Sequence, residues 1–205
     1  MIQNIIFDFG DIFIDLEKAA SLNLILEKYP DFKLSEEIIQ LNNQYEMGLL
    51  STDAFIAAYQ KFLPKENKTG LKNIWNSIIL HIPEHRMEFI ETLANENKFR
   101  LFLLSNTNDL HIEQVIKNIT PANYERLKNC FEKFYLSHEI NLRKPNKDIF
   151  EFVLEQNKLI AQETLFIDDT AENIETAKKI GLHTWHLIPG KEDIASLFKK
   201  DFPFS

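Results

Sequence analysis

Five short apolar runs separated by helical patterns constrain this 205-residue chain more than any other feature. They are Gln3-Asn4-Ile5-Ile6-Phe7, Phe99-Arg100-Leu101-Phe102-Leu103-Leu104, Phe134-Tyr135-Leu136, Thr164-Leu165-Phe166-Ile167 and Thr184-Trp185-His186-Leu187. Their apolar residues run on rather than alternate, which is the pattern of strands covered on both faces. Helical patterns fill 83–97, 145–158 and 171–180, with Pro83 and Pro145 suited to first turns and Gly181 to a helix end. Strands alternating with helices of this length predict an α/β, doubly wound (Rossmann-like) parallel sheet. Residues 17–81 break the alternation. They carry four helical patterns, opening near Leu22, Ser35, Ser51 and Leu71, and no convincing strand. The expected organisation is a core from 1–16 and 82–205, with a helical cap from 17–81 inserted after the first strand.

Three of the runs end on polar residues: Asp8, then Ser105-Asn106-Thr107-Asn108, then Asp168-Asp169. Open parallel sheets bind ligands beyond the C-terminal ends of their strands, so these side chains can converge. Arg143-Lys144 precedes Pro145, just beyond another run and at the start of a helical pattern. Asp8, Asp168 and Asp169 would place three carboxylates in one crevice. Two unit charges about 4 Å apart repel by roughly 4 kcal/mol at an effective dielectric near 20. Such a cluster needs a cation or must take up protons. An oxygen-only ligand set points to Mg²⁺, and Lys144 adds a fixed positive charge. A carboxylate, a divalent cation, a lysine and a hydroxyl suit phosphoryl transfer to an aspartate.

Charge and composition narrow the partners. There are 23 basic against 31 acidic residues, a net charge of −8, which argues against nucleic acid. No run approaches the roughly 18 apolar residues of a membrane span. The single cysteine, Cys130, excludes a disulfide framework and a Cys-based zinc cluster, and these absences favour a reducing cytoplasm. His81 and His85 stand four apart, but Pro83 between them removes a shared helical face for zinc. His183 and His186 read as structural. His111 reads as a capping or packing residue before a substrate contact, and Trp75 and Phe62 as the insert's own core. Seventeen Phe are expected to fill the interior.

The motifs carry a family resemblance. Ile5-Ile6-Phe7-Asp8-Phe9-Gly10-Asp11-Ile12 resembles motif I of the haloacid dehalogenase-like hydrolases. Leu104-Ser105-Asn106-Thr107-Asn108 is similar to motif II, Leu142-Arg143-Lys144-Pro145 to motif III, and Phe166-Ile167-Asp168-Asp169-Thr170-Ala171-Glu172-Asn173 to motif IV. The likeness runs through the chain and leans toward bacterial phosphatases of glucose 1-phosphate and similar sugar phosphates. It implies that Asp8 attacks phosphorus and forms an aspartyl-phosphate. Ser105 and the backbone N–H of Asn106 would hold the phosphoryl oxygens, and Lys144 would neutralise nucleophile and phosphate together. Asp8, Asp169 and the Gly10 carbonyl would bind Mg²⁺, with Asp168 as a further ligand or as a supporting partner. The implied substrate is a small phosphate ester, and the implied state a monomer or homodimer.

Gly10 departs from the family pattern. Phosphatases of this family commonly carry an Asp two residues after the nucleophile, which protonates the leaving group and later activates water. Glycine does neither, and it is also a candidate for a backbone φ that other residues tolerate poorly. Loss of a general acid typically costs about 10²–10⁴-fold. The alternatives are therefore a haloacid dehalogenase-type hydrolase, which needs no metal, and a weakened enzyme scaffold that only binds. Receiver domains combine similar residues, but with the acidic pair first and the acceptor in mid-chain.

Overall fold

The computed structural model describes residues 1–204. Five parallel strands form one sheet: β1 (Asn4–Phe7), β2 (Arg100–Ser105), β3 (Lys133–Leu136), β4 (Thr164–Asp168) and β5 (His183–His186), in the order β3-β2-β1-β4-β5. β1 lies at the centre, with Phe7 level with Leu103 on one side and Ile167 on the other. The continuous apolar runs follow from burial on both faces. Ile5, Phe7, Leu101, Leu103, Leu165 and Ile167 pack into one core layer, and the intervening Ile6, Phe102, Leu104 and Phe166 into the other. α5 (Glu84–Glu96), α6 (Asp109–Ile119) and α7 (Pro121–Lys128) supply the first layer, and α9 (Lys147–Asn157) and α10 (Ala171–Lys179) the second.

Between β1 and α5 the chain makes four helices: α1 (Ala20–Lys28), α2 (Glu36–Glu46), α3 (Thr52–Phe62) and α4 (Lys68–Asn76). Ser35, Ser51 and Asn67 cap the last three by accepting the N–H three residues on. The apolar faces of these helices close on Ile38, Tyr45, Phe55, Ile56, Leu63 and Leu71, and Leu110 of α6 joins the cluster. The two connections to the sheet run side by side. Leu16 bridges Ile79 antiparallel, Glu17 N–H donates to the Ile78 carbonyl, and Leu80 N–H donates to the Asp15 carbonyl.

Three local expectations need correction. The helix expected from Pro145 starts at Lys147, after Asn146 at the N-cap, and the Lys144-Pro145 bond is cis. Pro83 is likewise the N-cap of α5 rather than its first residue. Lys144 does not directly follow a strand, because β3 ends at Leu136 and a short helix, α8 (Ser137–Ile140), intervenes. The sequence reading assigned no helix between β2 and β3, where α6 and α7 stand. α7 is largely polar and buries only Tyr124 and Leu127, so its apolar stripe is faint.

Candidate active site

The C-terminal ends of β1, β2 and β4 open into a cavity of about 270 Å³, roofed by the insert. Asp8 follows β1 and stays in register by donating its N–H to the Ile167 carbonyl (2.8 Å). Lys144 reaches it from the loop before α9. Its ammonium donates to Asp8 Oδ1 (2.6 Å), Asp168 Oδ2 (2.7 Å) and the Leu104 carbonyl (2.8 Å). All three N–H bonds are thus used, as a lysine only 1% exposed requires. Burial lowers the Lys144 ammonium, but Asp168 and Asp8 outweigh it and hold the group charged. Burial in turn pushes the Asp8 carboxyl up against the pull of Lys144, and the charges of Asp168 and Asp169 add to the rise.

Asp168 closes β4 and is fully buried. Thr170 N–H donates to its Oδ1 (2.7 Å), and the Asn173 amide donates to both oxygens (3.1 and 3.0 Å). With Lys144 on Oδ2, Asp168 is saturated and does not face the cavity, whereas Asp169 does. Ser105 ends β2 and lines the cavity. Asn106 clamps Lys144 in both directions: its Nδ2 donates to the Lys144 carbonyl (2.8 Å) and its Oδ1 accepts from the Lys144 N–H (2.9 Å). That side-chain role was absent from the sequence reading, which assigned Asn106 its backbone alone.

Gly10 lines the cavity without a positive φ, so backbone strain is not what selects glycine there. A Cβ at this position would stand 2.7 Å from Leu16 Cδ1 and 3.8 Å from Asp8 Oδ2. Leu16 fills the space that an acidic side chain would take. The left-handed residue is instead Asp11 (φ 56°), whose Oδ1 accepts from the Leu16 N–H (3.1 Å).

Two charged residues of the site were missed. Lys18 bridges Asp169 and Asp11 (2.8 Å to Asp11), and these carboxylates raise its ammonium against the burial that lowers it. Glu46, the last residue of α2, lines the cavity from the insert and pairs with Arg143 (2.9 Å). Burial pushes the Glu46 carboxyl up, and Arg143 opposes that. Neither residue sits in a local pattern that sequence could flag, since Asp169 lies 151 positions from Lys18 and Arg143 lies 97 from Glu46, and Asp11 meets Lys18 only through its left-handed turn.

His111 also borders the cavity, but its ring is spoken for. Nδ1 faces the Asn108 amide (3.1 Å) and Nε2 the Trp75 carbonyl (3.2 Å), while the ring stacks on the Trp75 indole at 5.1 Å. The amide is a donor, so Nδ1 accepts and Nε2 carries the proton. Burial lowers its pKa to about 4, leaving it neutral. His85 pairs with Asp193, and His186 Nε2 contacts the Asp169 carbonyl.

Oxygens of Asp8, Asp168 and Asp169 lie within 4.8 Å of one another, and with those of Asp168 already taken by Lys144, Thr170 and Asn173, Asp8 and Asp169 are the two that face an ion. Four carboxylates including Asp11, set against Lys18 and Lys144, leave a deficit of two positive charges. A hard divalent cation with oxygen ligands matches both the charge and the donor set.

A family model described as haloacid dehalogenase-like hydrolase matches residues 5–186. A D-ribitol-5-phosphate phosphatase of Bacteroides thetaiotaomicron is 27% identical over 197 residues, covering 90% of this chain and 91% of that protein. A crystal structure of a HAD-family enzyme from Bacteroides thetaiotaomicron, a magnesium complex, superposes with a TM-score of 0.84 at 31% identity, covering 97% of this chain and 99% of the other. The wild-type form of the latter with magnesium and inorganic phosphate gives 0.82 at 30% identity, over 97% and 100%. Among the described residues, no helix is long and apolar enough to cross a membrane.

Proposed function

The chain belongs to the haloacid dehalogenase-like hydrolases, and on that premise we propose that it is a Mg²⁺-dependent phosphatase of a small phosphorylated polyol or sugar, acting through an aspartyl-phosphate on Asp8. The observation that carries this reading is the division of labour at Asp8. Lys144 holds Oδ1, and Oδ2 is the oxygen it leaves for attack. Oδ2 would form a bond to phosphorus as the ester P–O bond breaks, and the departing alkoxide would take its proton from solvent or from the substrate itself. Water would then attack the same phosphorus, break the aspartyl P–O bond and release inorganic phosphate with the carboxylate restored. Ser105 and the Asn106 N–H would bind phosphoryl oxygens from the cavity lining, and Asn106 also fixes Lys144. Asp8, Asp169 and the Gly10 carbonyl would hold Mg²⁺, which stabilises charge on the transferring phosphoryl group. Asp168 orients Lys144 through their direct pair.

In this reading residues 17–81 act as the cap. They exclude water from the acyl phosphate and meet the organic part of the substrate. A cavity of about 270 Å³ suits a phosphate with a handful of carbon atoms, below the usual size of drug-binding pockets. The lone Cys130 is in line with a cytoplasmic setting. The deciding experiment is a panel of phosphate esters assayed with Mg²⁺ and with EDTA. Hydrolysis that EDTA abolishes and Mg²⁺ restores is expected. Equal rates without metal would reverse the assignment and favour dehalogenase-type chemistry.

A further inference from the structure

The cavity lining joins apolar and charged groups. Ile14, Leu16, Ile78, Ile79 and Val115 are apolar, and Glu46 is the third carboxylate on the lining beside Asp8 and Asp169, near enough to Lys144 to feel its charge. The orientation of Glu46 is fixed twice over. Arg143 donates to Oε2 from Nη2 (2.9 Å) and Nε (3.3 Å), which leaves Oε1 for a ligand. The Glu46 carbonyl accepts from the buried Ser137 hydroxyl (2.5 Å), which also receives the Thr107 N–H (2.9 Å). The end of α2 is thereby held to the loop that follows Ser105. Of the two lysines on the lining, Lys144 is held by Asp8 and Asp168 and Lys18 by Asp11 and Asp169, so neither is free to balance a second anion.

We propose that Glu46 is a specificity-determining residue: Oε1 accepts a hydroxyl of the leaving group, and the same charge rejects phosphate esters that carry a carboxylate. The proposal rests on the phosphatase reading above. A polyol chain or sugar ring fits because it presents C–H groups to the apolar lining and hydroxyls to Glu46. A hydrogen bond to a charged acceptor strengthens binding of the hydroxyl, and a like charge at that distance in a closed cavity repels. A carboxylate in place of the hydroxyl therefore turns attraction into exclusion.

The test uses three esters of equal chain length in Mg²⁺: propyl phosphate, glycerol 3-phosphate and 3-phosphoglycerate. The wild-type protein should prefer glycerol 3-phosphate to 3-phosphoglycerate in kcat/KM. Glu46→Gln should lower the first and raise the second, so that the preference ratio falls by roughly tenfold or more. A parallel fall on both esters would overturn the proposal and leave Glu46 as a tie between α2 and the core. If Glu46→Gln does not fold, Glu46→Asp carries the test. It keeps the charge but withdraws it by one methylene, so glycerol 3-phosphate should lose while 3-phosphoglycerate stays excluded; loss of that exclusion would overturn the proposal. Failure of the wild-type protein to hydrolyse any of the three esters, and 4-nitrophenyl phosphate as well, would instead bring down the phosphatase reading, and this proposal with it.

Discussion

On the proposed mechanism, Asp8 and Gly10 set the chemistry residue by residue. Asp8→Asn keeps the shape of the side chain and its contact with Lys144, but an amide is a poor nucleophile. We expect a folded protein whose turnover falls by several orders of magnitude, read by phosphate release. Residual activity within tenfold of wild type would show that Asp8 is not the nucleophile. At Gly10 the obstacle to an acid is Leu16 Cδ1, not the backbone. Gly10→Asp paired with Leu16→Ala therefore makes the room that the single change lacks. The wild-type protein should show a steep dependence of log kcat on leaving-group pKa, and the double variant a shallower one, with a gain of up to about 10²-fold on alkyl esters. A flat wild-type plot, with chemistry rate-limiting, would mean that another acid is present. His111 makes a separate prediction. The unfolded ring takes up a proton near 6.5 and the folded one not until about 4. Its share of the stability should be complete above pH 6.5 and fall as the pH drops from there to 4, by about 3 kcal/mol in all. The raised Asp8 carboxyl takes up its proton in the same window and acts in the opposite sense, so the slope is read as the difference in urea unfolding between wild type and His111→Gln.

The strands were the elements easiest to read from sequence, because burial on both faces writes an unbroken apolar run and the sheet's exit writes a polar residue after it. Asp8, Ser105 and Asp168 were found in that way. What escaped were features decided by tertiary contact. Asn106 turns its side chain to a lysine in another loop, α7 hides its few buried residues in a polar segment, and Lys18 and Glu46 acquire partners only when the insert folds over the sheet. The joints between elements are open to test. The buried Ser137 hydroxyl, at the start of α8, ties the Glu46 carbonyl of α2 to the Thr107 backbone. Ser137→Ala leaves both backbone groups without that partner, at about 1–3 kcal/mol. For a chain of this length that is a fall in melting temperature of about 2–4 °C per kcal/mol. Calorimetry should find it. An unchanged melting temperature would show that water replaces the hydroxyl without loss.

The whole molecule carries a net charge of −8, and the site concentrates that excess. A ligand that binds only the folded state stabilises it by about 2.7 kcal/mol at a hundred times its Kd. Mg²⁺ at that level should raise the melting temperature by about 5–10 °C, and Asp169→Asn should remove most of the shift while the fold persists. A shift that survives Asp169→Asn would place the ion elsewhere.

The paired linkers have a consequence for the order in which the chain assembles. Asn4 of β1 must find Arg100 of β2, and the whole insert lies between them. Once the insert has closed on its own apolar cluster and Leu16 has met Ile79, the free tether between those partners shrinks about threefold. Loop-closure entropy then opposes the central strand pairing by about 1 kcal/mol less. The helices over the site would thus act first as a splint, bringing distant strands within reach before there is a cavity to cover, and pulse-labelled amides in α2 and α3 should gain protection ahead of those in β1.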